Sequence, residues 1–213
     1  FLCSPNNPTG NTTPIEYIEK ICRESNIAVI VDEAYYEFAG KTAASLVEKY
    51  ENLIIVRTLS KAFGLPGARI GYILASSEMV KLLNKARPPN SLGVINIELG
   101  VLALRRRKYM HELVKLINSE RQRLFERLSK LDGLRVYPSE ANFLLVKFID
   151  PPADKVYEHL LRVGIVVRNL ATTPSTTGCL RMTIGTRRQN QRLLNALFRM
   201  LGDQKSEDLY SEH

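Results

Sequence analysis

The chain has 213 residues, of which 45% are hydrophobic and 24% charged, and its formal net charge is +8. This composition is typical of a globular protein with a sizeable core, in one large domain or two small ones, and it excludes a disordered chain. No apolar run approaches the roughly 20 residues that a membrane-spanning helix requires, and no signal peptide precedes the first strand. We therefore expect a cytoplasmic protein without a membrane partner.

The excess of positive charge does not indicate a nucleic-acid partner. The only dense basic run, residues 105–108, has no aromatic side chains interleaved with it for base stacking. A solvated helix face explains this run better, and anionic small molecules would draw on part of the remaining charge.

The three cysteines are odd in number and lack the spacing of metal ligands. We therefore expect no metal site, and we expect Cys3, Cys22 and Cys179 to be reduced thiols that behave as small core residues.

The chain opens on the end of a strand, residues 1–3, which runs straight into a turn rich in proline. There is no initiator methionine, and we expect that further sequence precedes this strand. Two prolines and Gly10 bracket Asn7, so its amide is held on a stiff turn rather than on a helix.

The next strand ends in two acids. Residues 13–25 predict a helix opened by a Thr-Pro pair, and residues 27–31 form an uninterrupted apolar run, typical of a strand covered on both faces. This strand delivers Asp32 and Glu33 to the rim of the sheet, where a carboxylate held close to the core needs a partner. Asp32 is our preferred functional residue, and Glu33 has the weaker claim.

Lys61 lies in an otherwise uncharged turn after the apolar strand at residues 53–56. In open α/β sheets, ligands bind where such strands end. A lysine near apolar walls and a fixed cation loses its proton more easily and can form a Schiff base with an aldehyde. Thr58 and Ser60 offer hydroxyl groups, and Arg69 offers a planar fork suited to a phosphate. The alternative for the lysine alone is an ordinary surface residue in a Gly/Pro loop.

The pattern of two hydroxyl residues, Lys61 and then Arg69 resembles the cofactor-lysine segment of the aspartate-aminotransferase superfamily. The sequence of this segment, TLSKAFGLPGARIGY, is most similar to that of the histidinol-phosphate aminotransferase family. This resemblance implies a PLP-dependent transferase fold, in which pyridoxal 5′-phosphate is bound covalently by Lys61 and contacted by Thr58, Ser60 and Arg69.

The same resemblance assigns roles to three earlier residues. Asn7 and Tyr35 match the residues that share the 3-hydroxyl group of the cofactor ring. Asp32 matches the carboxylate that keeps the pyridine nitrogen protonated, which makes the ring an electron sink.

Alternating strands and helices predict parallel crossovers and therefore part of a mainly parallel sheet with flanking helices, to which residues 69–75 add a strand. A short helix follows at 78–86, and the proline-free stretch from 91 to 130 predicts a long connecting helix with a possible bend near residues 108 and 109. The chain resembles roughly the C-terminal two-thirds of such an enzyme. We divide it into a partial large cofactor-binding domain (1–88), the connecting helix (89–131), a smaller α+β domain (132–202) and a polar tail (203–213).

The smaller domain contains two arginines of interest. Arg181 alternates with Leu180 and Met182, and its segment LRMTIG resembles the one whose arginine binds the substrate carboxylate. Arg168, at the end of a strand predicted at 165–168, matches the position that binds the substrate phosphate. Taken alone, an arginine at a strand end is usually just solvated. The remaining elements predicted here are strands at 134–137, 142–148 and 179–185 and helices at 153–163 and 189–201.

The resemblance implies an aminotransferase of histidine biosynthesis that acts on small amino and keto acids, one of them phosphorylated, and that is a homodimer when full length. The expected substrates are imidazole-acetol phosphate and glutamate. One alternative is a threonine-phosphate decarboxylase, which shares the fold and the phosphate recognition. Another is a catalytically silent fragment or cofactor-binding module, because ahead of Asn7 the chain has neither a glycine-rich phosphate loop nor an aromatic residue to stack on the ring.

Overall fold

The chain folds into two compact units, each built on its own sheet. The computed structural model describes residues 1–170 and 173–207, except for the side chains of 203–207. The first unit comprises residues 1–7 and 11–115, and the second comprises residues 8–10 and the chain from Leu116 onward, so the division falls within a long helix. Among the described helices, none combines the length and apolar character needed to cross a membrane.

The first unit contains the mainly parallel sheet that the sequence predicts. Its strand order is β1-β2-β3-β4, with β1, β2 and β3 parallel and β4 antiparallel to β3. The strands are β1 (Leu2–Cys3), β2 (Val29–Asp32), β3 (Leu53–Thr58) and β4 (Gly71–Ala75), and the helices are α1 (Ile15–Glu24), α2 (Tyr36–Ala39), α3 (Ser77–Ala86) and α4 (Val94–Arg105).

The core of this unit forms between α1 and the sheet. Ile18 and Cys22, four residues apart on α1, are 2% and 3% exposed and belong to one apolar cluster with Val31 and Ile55. Residues 29–31 of β2 and 53–56 of β3 are continuous apolar runs without alternating polar residues, as is typical of parallel sheets buried on both faces. This arrangement fixes the carboxyl ends of β1, β2 and β3 at one edge.

The long helical stretch is interrupted earlier than the sequence predicts. Helix α5 (Arg107–Leu128) is separated from α4 at Arg106, not near residues 108 and 109. The Arg106 N–H donates to the carbonyls of both Leu102 and Ala103, each at 3.1 Å, so the last turn of α4 is tightened into a cap.

The second unit contains an antiparallel sheet of order β5-β6-β8-β7. Alternate residues of β6 and β8, including Leu144, Leu180 and Met182, face a large apolar cluster supplied mainly by α5, α6 and α7. This unit therefore has the two-layer construction of an α+β domain. Its elements after α5 are β5 (Leu134–Tyr137), β6 (Phe143–Phe148), α6 (Ala153–Arg162), β7 (Arg168–Asn169), β8 (Cys179–Thr183) and α7 (Arg187–Glu207).

Strand β7 is shorter than predicted and begins, rather than ends, at Arg168. Residues 165–167 serve instead as the exit from α6: Gly164 adopts φ +73°, and the Ile165 N–H donates to the Leu160 carbonyl at 2.8 Å. Such closure of a helix end by a left-handed glycine is common, and here it uses the Ile165 N–H, which a longer strand would need.

Helix α7 continues beyond the predicted helix end at Leu201, to Glu207. The predicted polar tail at 203–213 therefore overlaps the last turns of this helix, and residues 208–213 lie outside the described residues. Polar composition alone did not distinguish a solvated helix end from a tail.

Two of the three cysteines are buried as predicted, namely Cys22 and Cys179, whereas Cys3 is exposed. The prediction of a core role was wrong for Cys3 because it lies on β1, a two-residue strand at the edge of its sheet. Burial raises the pKa of the Cys22 and Cys179 thiols.

Candidate active site

Three strand ends bring predicted site residues to one edge of the first sheet. Asn7 follows β1, Asp32 ends β2 and Thr58 ends β3, and these strands are parallel. The turn that carries Asn7 is tied to β2, because the Ser4 N–H donates to the Asp32 carbonyl at 2.9 Å. The Ser4 hydroxyl in turn accepts the Thr13 N–H at 3.0 Å. The sheet edge therefore presents an amide, a carboxylate and a hydroxyl side by side.

The Asp32 side chain is half-buried and partly satisfied by its own turn. Its Oδ1 accepts the Ala34 N–H at 2.9 Å, while no described residue donates a hydrogen bond to its Oδ2. A carboxylate with one oxygen still available can accept a charge-assisted hydrogen bond from a ligand N–H.

The neighbouring acid, Glu33, is engaged elsewhere. It is 2% exposed and accepts hydrogen bonds from Arg57 Nε at 2.9 Å and Nη2 at 2.8 Å. Of the two adjacent acids, therefore, Glu33 is already neutralised by an arginine and Asp32 is the one with an oxygen to offer to a ligand.

The structure brings Lys61 and Tyr35 together, although the sequence places them on different segments. Lys61 Nζ lies 5.2 Å from the centroid of the Tyr35 ring, with the lysine exposed and the tyrosine 8% exposed. The turn after β2 and the turn after β3 thus share one surface that carries both a tyrosine and a primary amine.

The hydroxyl residues Thr58 and Ser60 contact each other, and the loop after them closes back on β3. Thr58 Oγ1 accepts the Ser60 N–H at 3.0 Å and lies 2.9 Å from Ser60 Oγ. The Leu59 N–H donates to the Ile70 carbonyl at 3.0 Å, which returns the chain to the end of β3.

This closure carries Arg69 back towards the sheet edge in a strained conformation. Arg69 has φ +53° and ψ +38°, in the left-handed region that side chains other than glycine seldom occupy. Its side chain is exposed, and Nη1 donates to the Pro66 carbonyl at 3.2 Å; among the described residues no hydrogen bond joins it to Ser60 or Lys61. The chain comes close to β3 at Gly71, where a Cβ would lie 2.8 Å from the Arg57 carbonyl oxygen.

The two arginines predicted to bind substrate are direct neighbours across strands of the second unit. Arg168 and Arg181 form a register pair between β7 and β8. Arg181 is half-buried, points away from the core side chains Leu180 and Met182, and has its guanidinium 5.1 Å from the Phe143 ring. Because directly opposed residues share one face of a sheet, the structure sets two cations on the same surface.

Sequence reasoning missed a polar network around Arg57. The Arg57 guanidinium lies 3.7 Å from the centroid of the Tyr36 ring, and the hydroxyls of Tyr36 and Tyr72 are 3.5 Å apart. Burial raises the pKa of Tyr36 above its usual range. The available signal was a charged residue at position 57, ending an apolar strand beside a strand that ends in two acids.

Glu37 was also missed. Neither of its carboxyl oxygens, both buried, has a hydrogen-bond partner among the described residues. Burial raises the pKa of Glu37 to about 7, although Arg57 nearby acts in the opposite direction.

Neither of the two clefts described next is lined by the full set of predicted site residues. A cleft of about 490 Å³ in the first unit is bordered by Arg69, Tyr72 and Arg87. A wider cleft of about 970 Å³ in the second unit has a basic lining that includes Arg188 and Arg192 and contains none of the predicted site residues. Four arginines on one solvated face of α7 account for the basic lining of the second cleft, so this lining does not require a ligand.

Comparison with known proteins assigns this arrangement to a family. Residues 1–197 match the model for aminotransferases of class I and II. A histidinol-phosphate aminotransferase from Thermoanaerobacter pseudethanolicus is 45% identical over 201 residues, which cover 94% of this chain and 56% of that protein. The chain thus spans little more than half the length of this relative.

Solved structures agree on the fold. The histidinol-phosphate aminotransferase from Sinorhizobium meliloti, in complex with pyridoxal-5′-phosphate, has a TM-score of 0.84 at 27% identity and covers 95% of this chain and 56% of its own. The L-threonine-O-3-phosphate decarboxylase from Porphyromonas gingivalis has the same TM-score at 24% identity, covering 94% and 63%. At that identity, the second likeness shows the fold alone.

Proposed function

Because the chain belongs to the class I and II aminotransferase family, whose members depend on pyridoxal 5′-phosphate, we propose that it is the main part of a histidinol-phosphate aminotransferase. The reaction transfers the amino group of glutamate to imidazole-acetol phosphate and gives 2-oxoglutarate and histidinol phosphate. The 45% identity to a protein of that name supports the assignment. The structural observation that carries it is the paired arginines, Arg168 and Arg181.

The residues at the edge of the first sheet fit the cofactor. Asp32 has a carboxylate oxygen for the protonated ring nitrogen, and Asn7 and Tyr35 stand on the two neighbouring turns for the ring hydroxyl. When bound, pyridoxal phosphate supplies an aldehyde that takes up amino groups and a ring that accepts electron density from the substrate Cα. Arg69 and the hydroxyl pair of Thr58 and Ser60 would hold its phosphate.

Lys61 has two tasks in this proposal. Its Nζ would hold the cofactor covalently, and the same amine, once released, would take the proton from the substrate Cα. The exposure of Lys61 beside the Tyr35 ring is consistent with both tasks, since the amine is accessible and one face of it is covered.

The two substrates present different anions to the same arginines. Imidazole-acetol phosphate carries a phosphate and no carboxylate, whereas glutamate carries two carboxylates. Two cations directly opposed on neighbouring strands repel each other, and an anion with two negative charges between them removes that repulsion. We assign Arg181 to the anion next to the reacting carbon in both half-reactions, and Arg168 to the additional charge of the phosphate.

The test separates the two half-reactions by stopped-flow absorbance, in protein produced from the complete gene. Arg168→Ala should lower kcat/KM about a hundredfold with the phosphorylated substrate and much less with glutamate, because a phosphate oxygen loses a charged partner. Arg181→Ala should impair both. Arg135→Ala, at an exposed position of strand β5 in the same sheet, is the matched control and should impair neither. Equal losses from Arg168→Ala in the two half-reactions would contradict the assignment.

Assays on the same protein distinguish the proposed aminotransferase from the two alternative functions. A threonine-phosphate decarboxylase would release CO₂ from O-phosphothreonine and would not need glutamate, whereas a silent cofactor-binding chain would give neither reaction. A homodimer and a cytoplasmic location belong to our proposal, and the former is checked by the molar mass in solution.

A further inference from the structure

Glu33 and Arg57 lie at the point where two strands deliver the proposed cofactor residues. Glu33 directly follows Asp32. Arg57 lies on the neighbouring strand β3, four residues before Lys61. The ladder between β2 and β3 is formed up to Asp32 and Val56, and the Glu33 N–H then donates to the Val56 carbonyl at 2.9 Å. The side-chain pair thus extends the link between the two strands beyond their last ladder pair.

Both charges of this pair are buried and fully engaged. Glu33 is 2% exposed and Arg57 is 9% exposed. Besides the two bonds from Arg57, the Glu33 carboxylate accepts the Thr42 hydroxyl at 2.8 Å and the Ala43 N–H at 2.7 Å. Arg57 Nη2 also donates to Thr42 Oγ1 at 2.7 Å, so the three side chains form a closed network.

The same guanidinium reaches a third segment. Arg57 stands opposite Tyr72 in the β3–β4 register, and its guanidinium covers the Tyr36 ring, whose hydroxyl meets that of Tyr72. The Arg57 side chain therefore contacts the segment after β2 directly and is connected to β4 through the hydroxyls of Tyr36 and Tyr72.

Stability alone does not account for a pair of this kind. A buried ion pair seldom stabilises a protein more than well-packed apolar residues would. Apolar side chains are accommodated on either side of Arg57, since Ile55 and Leu59 are 0% and 1% exposed. What an arginine–carboxylate contact adds is a fixed distance and direction.

We propose that Glu33 and Arg57 are positioning residues, which set the distance between the Asp32 carboxylate and the Lys61 amine. The cofactor must meet both groups at once, one at its ring nitrogen and one at its aldehyde carbon. A small change in this distance weakens one contact or the other. This inference rests on the proposed cofactor site but not on the identity of the substrate.

The test compares Glu33→Gln with Glu120→Gln in protein produced from the complete gene. Glu120 is the matched control, because it is 6% exposed and accepts hydrogen bonds from Arg123 and from the Asn190 amide, in the second unit. Three quantities are measured: the thermal unfolding midpoint without cofactor, the cofactor dissociation constant, and the pH midpoint of the absorbance of bound cofactor. That pH midpoint depends on how close Asp32 lies to the ring nitrogen.

Both variants should unfold at lower temperature. Only Glu33→Gln should also move the pH midpoint and raise the cofactor dissociation constant, by about tenfold, which is the size of effect that loss of an outer-shell partner has at metal sites. Arg57→Lys, which keeps the charge but loses the fork, should resemble Glu33→Gln. Cofactor quantities that are the same in Glu33→Gln and Glu120→Gln would overturn the inference.

Thr42→Val provides a milder change in case Glu33→Gln does not fold. It keeps the shape of the side chain and removes only the bridging hydroxyl, so it should shift the cofactor quantities in the same direction by a smaller amount. A lower unfolding midpoint with unchanged cofactor quantities would overturn the inference. If the wild-type protein binds the cofactor at Lys61 but does not turn over imidazole-acetol phosphate, the proposed substrate fails and these comparisons still decide the positioning role.

Discussion

Glu33 in the first unit and Glu120 in the second are both buried carboxylates that accept hydrogen bonds from an arginine, yet their surroundings differ. Glu33 and Arg57 come from two adjacent parallel strands and meet beneath the edge that carries Asp32. Glu120 and Arg123 lie one turn apart on α5, and the carboxylate also accepts the Asn190 amide of α7 at 3.0 Å. The bonds from Arg123 hold the pKa of Glu120 below its usual value.

The difference separates two uses of a buried charge. The Glu120 cluster joins two helices that already share a large apolar core, so it adds to an interface that packing has made. The Glu33 cluster joins strand ends at the edge of a sheet, where the apolar cluster is smaller and the neighbouring residues must remain available to a ligand. We therefore expect the first unit to lose function when its polar contacts are changed, and the second to lose stability when its packing is changed.

The largest effect should follow loss of the lysine in the first unit. Lys61→Ala removes the only group proposed to hold the cofactor covalently, so turnover should fall by on the order of 10⁴-fold or more while the unfolding midpoint changes little. Borohydride reduction followed by peptide mass analysis shows whether cofactor is attached at residue 61. Lys85→Ala, on exposed α3, is the control. Cofactor found on another lysine in the wild-type protein would contradict the site.

The complementary change is made in the core of the second unit. Leu194 is 1% exposed, and Leu194→Ala should lower the free energy of unfolding by about 2–5 kcal/mol through lost burial and a cavity. The cofactor dissociation constant of the folded variant should stay within about twofold, as expected for sites without shared partners. Leu161→Ala, at a position 48% exposed, serves as the control and should cost much less. A large change in the cofactor dissociation constant of Leu194→Ala would contradict the expectation that packing in the second unit does not affect cofactor binding.

A smaller, pH-dependent effect is expected at Glu37. Its pKa is raised from 4.5 to about 7 in the folded state, so folding favours the protonated carboxyl and this contribution is present below pH 4.5 and lost as the pH rises towards 7. Glu37→Gln cannot ionise, and above pH 7 it should be more stable than wild type by on the order of 1–3 kcal/mol, with no such gain at pH 4.5. Urea unfolding at both values measures this, with exposed Glu48→Gln as the control. A gain independent of pH would contradict the prediction.

The order of elements in the first unit could be predicted because each strand is a continuous apolar run. Leu53 to Val56 predicted β3, and polar residues directly after such runs predicted the contents of the sheet edge. The positions of Asp32 and Lys61 followed from these strand ends. The roles given to them came from the family resemblance and remain to be tested by the variants above.

Contacts between distant residues could not be predicted in the same way. Nothing in the local sequence of Arg57 indicates a partner 24 positions earlier, and the exposed side of β1 at Cys3 depends on which strands flank it. The three apolar residues 165–167 have strong strand propensity, but the helix exit at Gly164 uses the Ile165 N–H. The first two outcomes depend on tertiary pairing, whereas in the third a local helix cap overrode strand propensity.

The left-handed conformation of Arg69 links stability and activity at a single position. Glycine would occupy φ +53° without the strain that an arginine side chain incurs there, and so would relieve the fold. A selection for heat resistance alone would therefore favour glycine or asparagine at residue 69. Such a selection would remove the guanidinium proposed for the cofactor phosphate, so directed evolution of this protein needs a selection for turnover alongside one for stability.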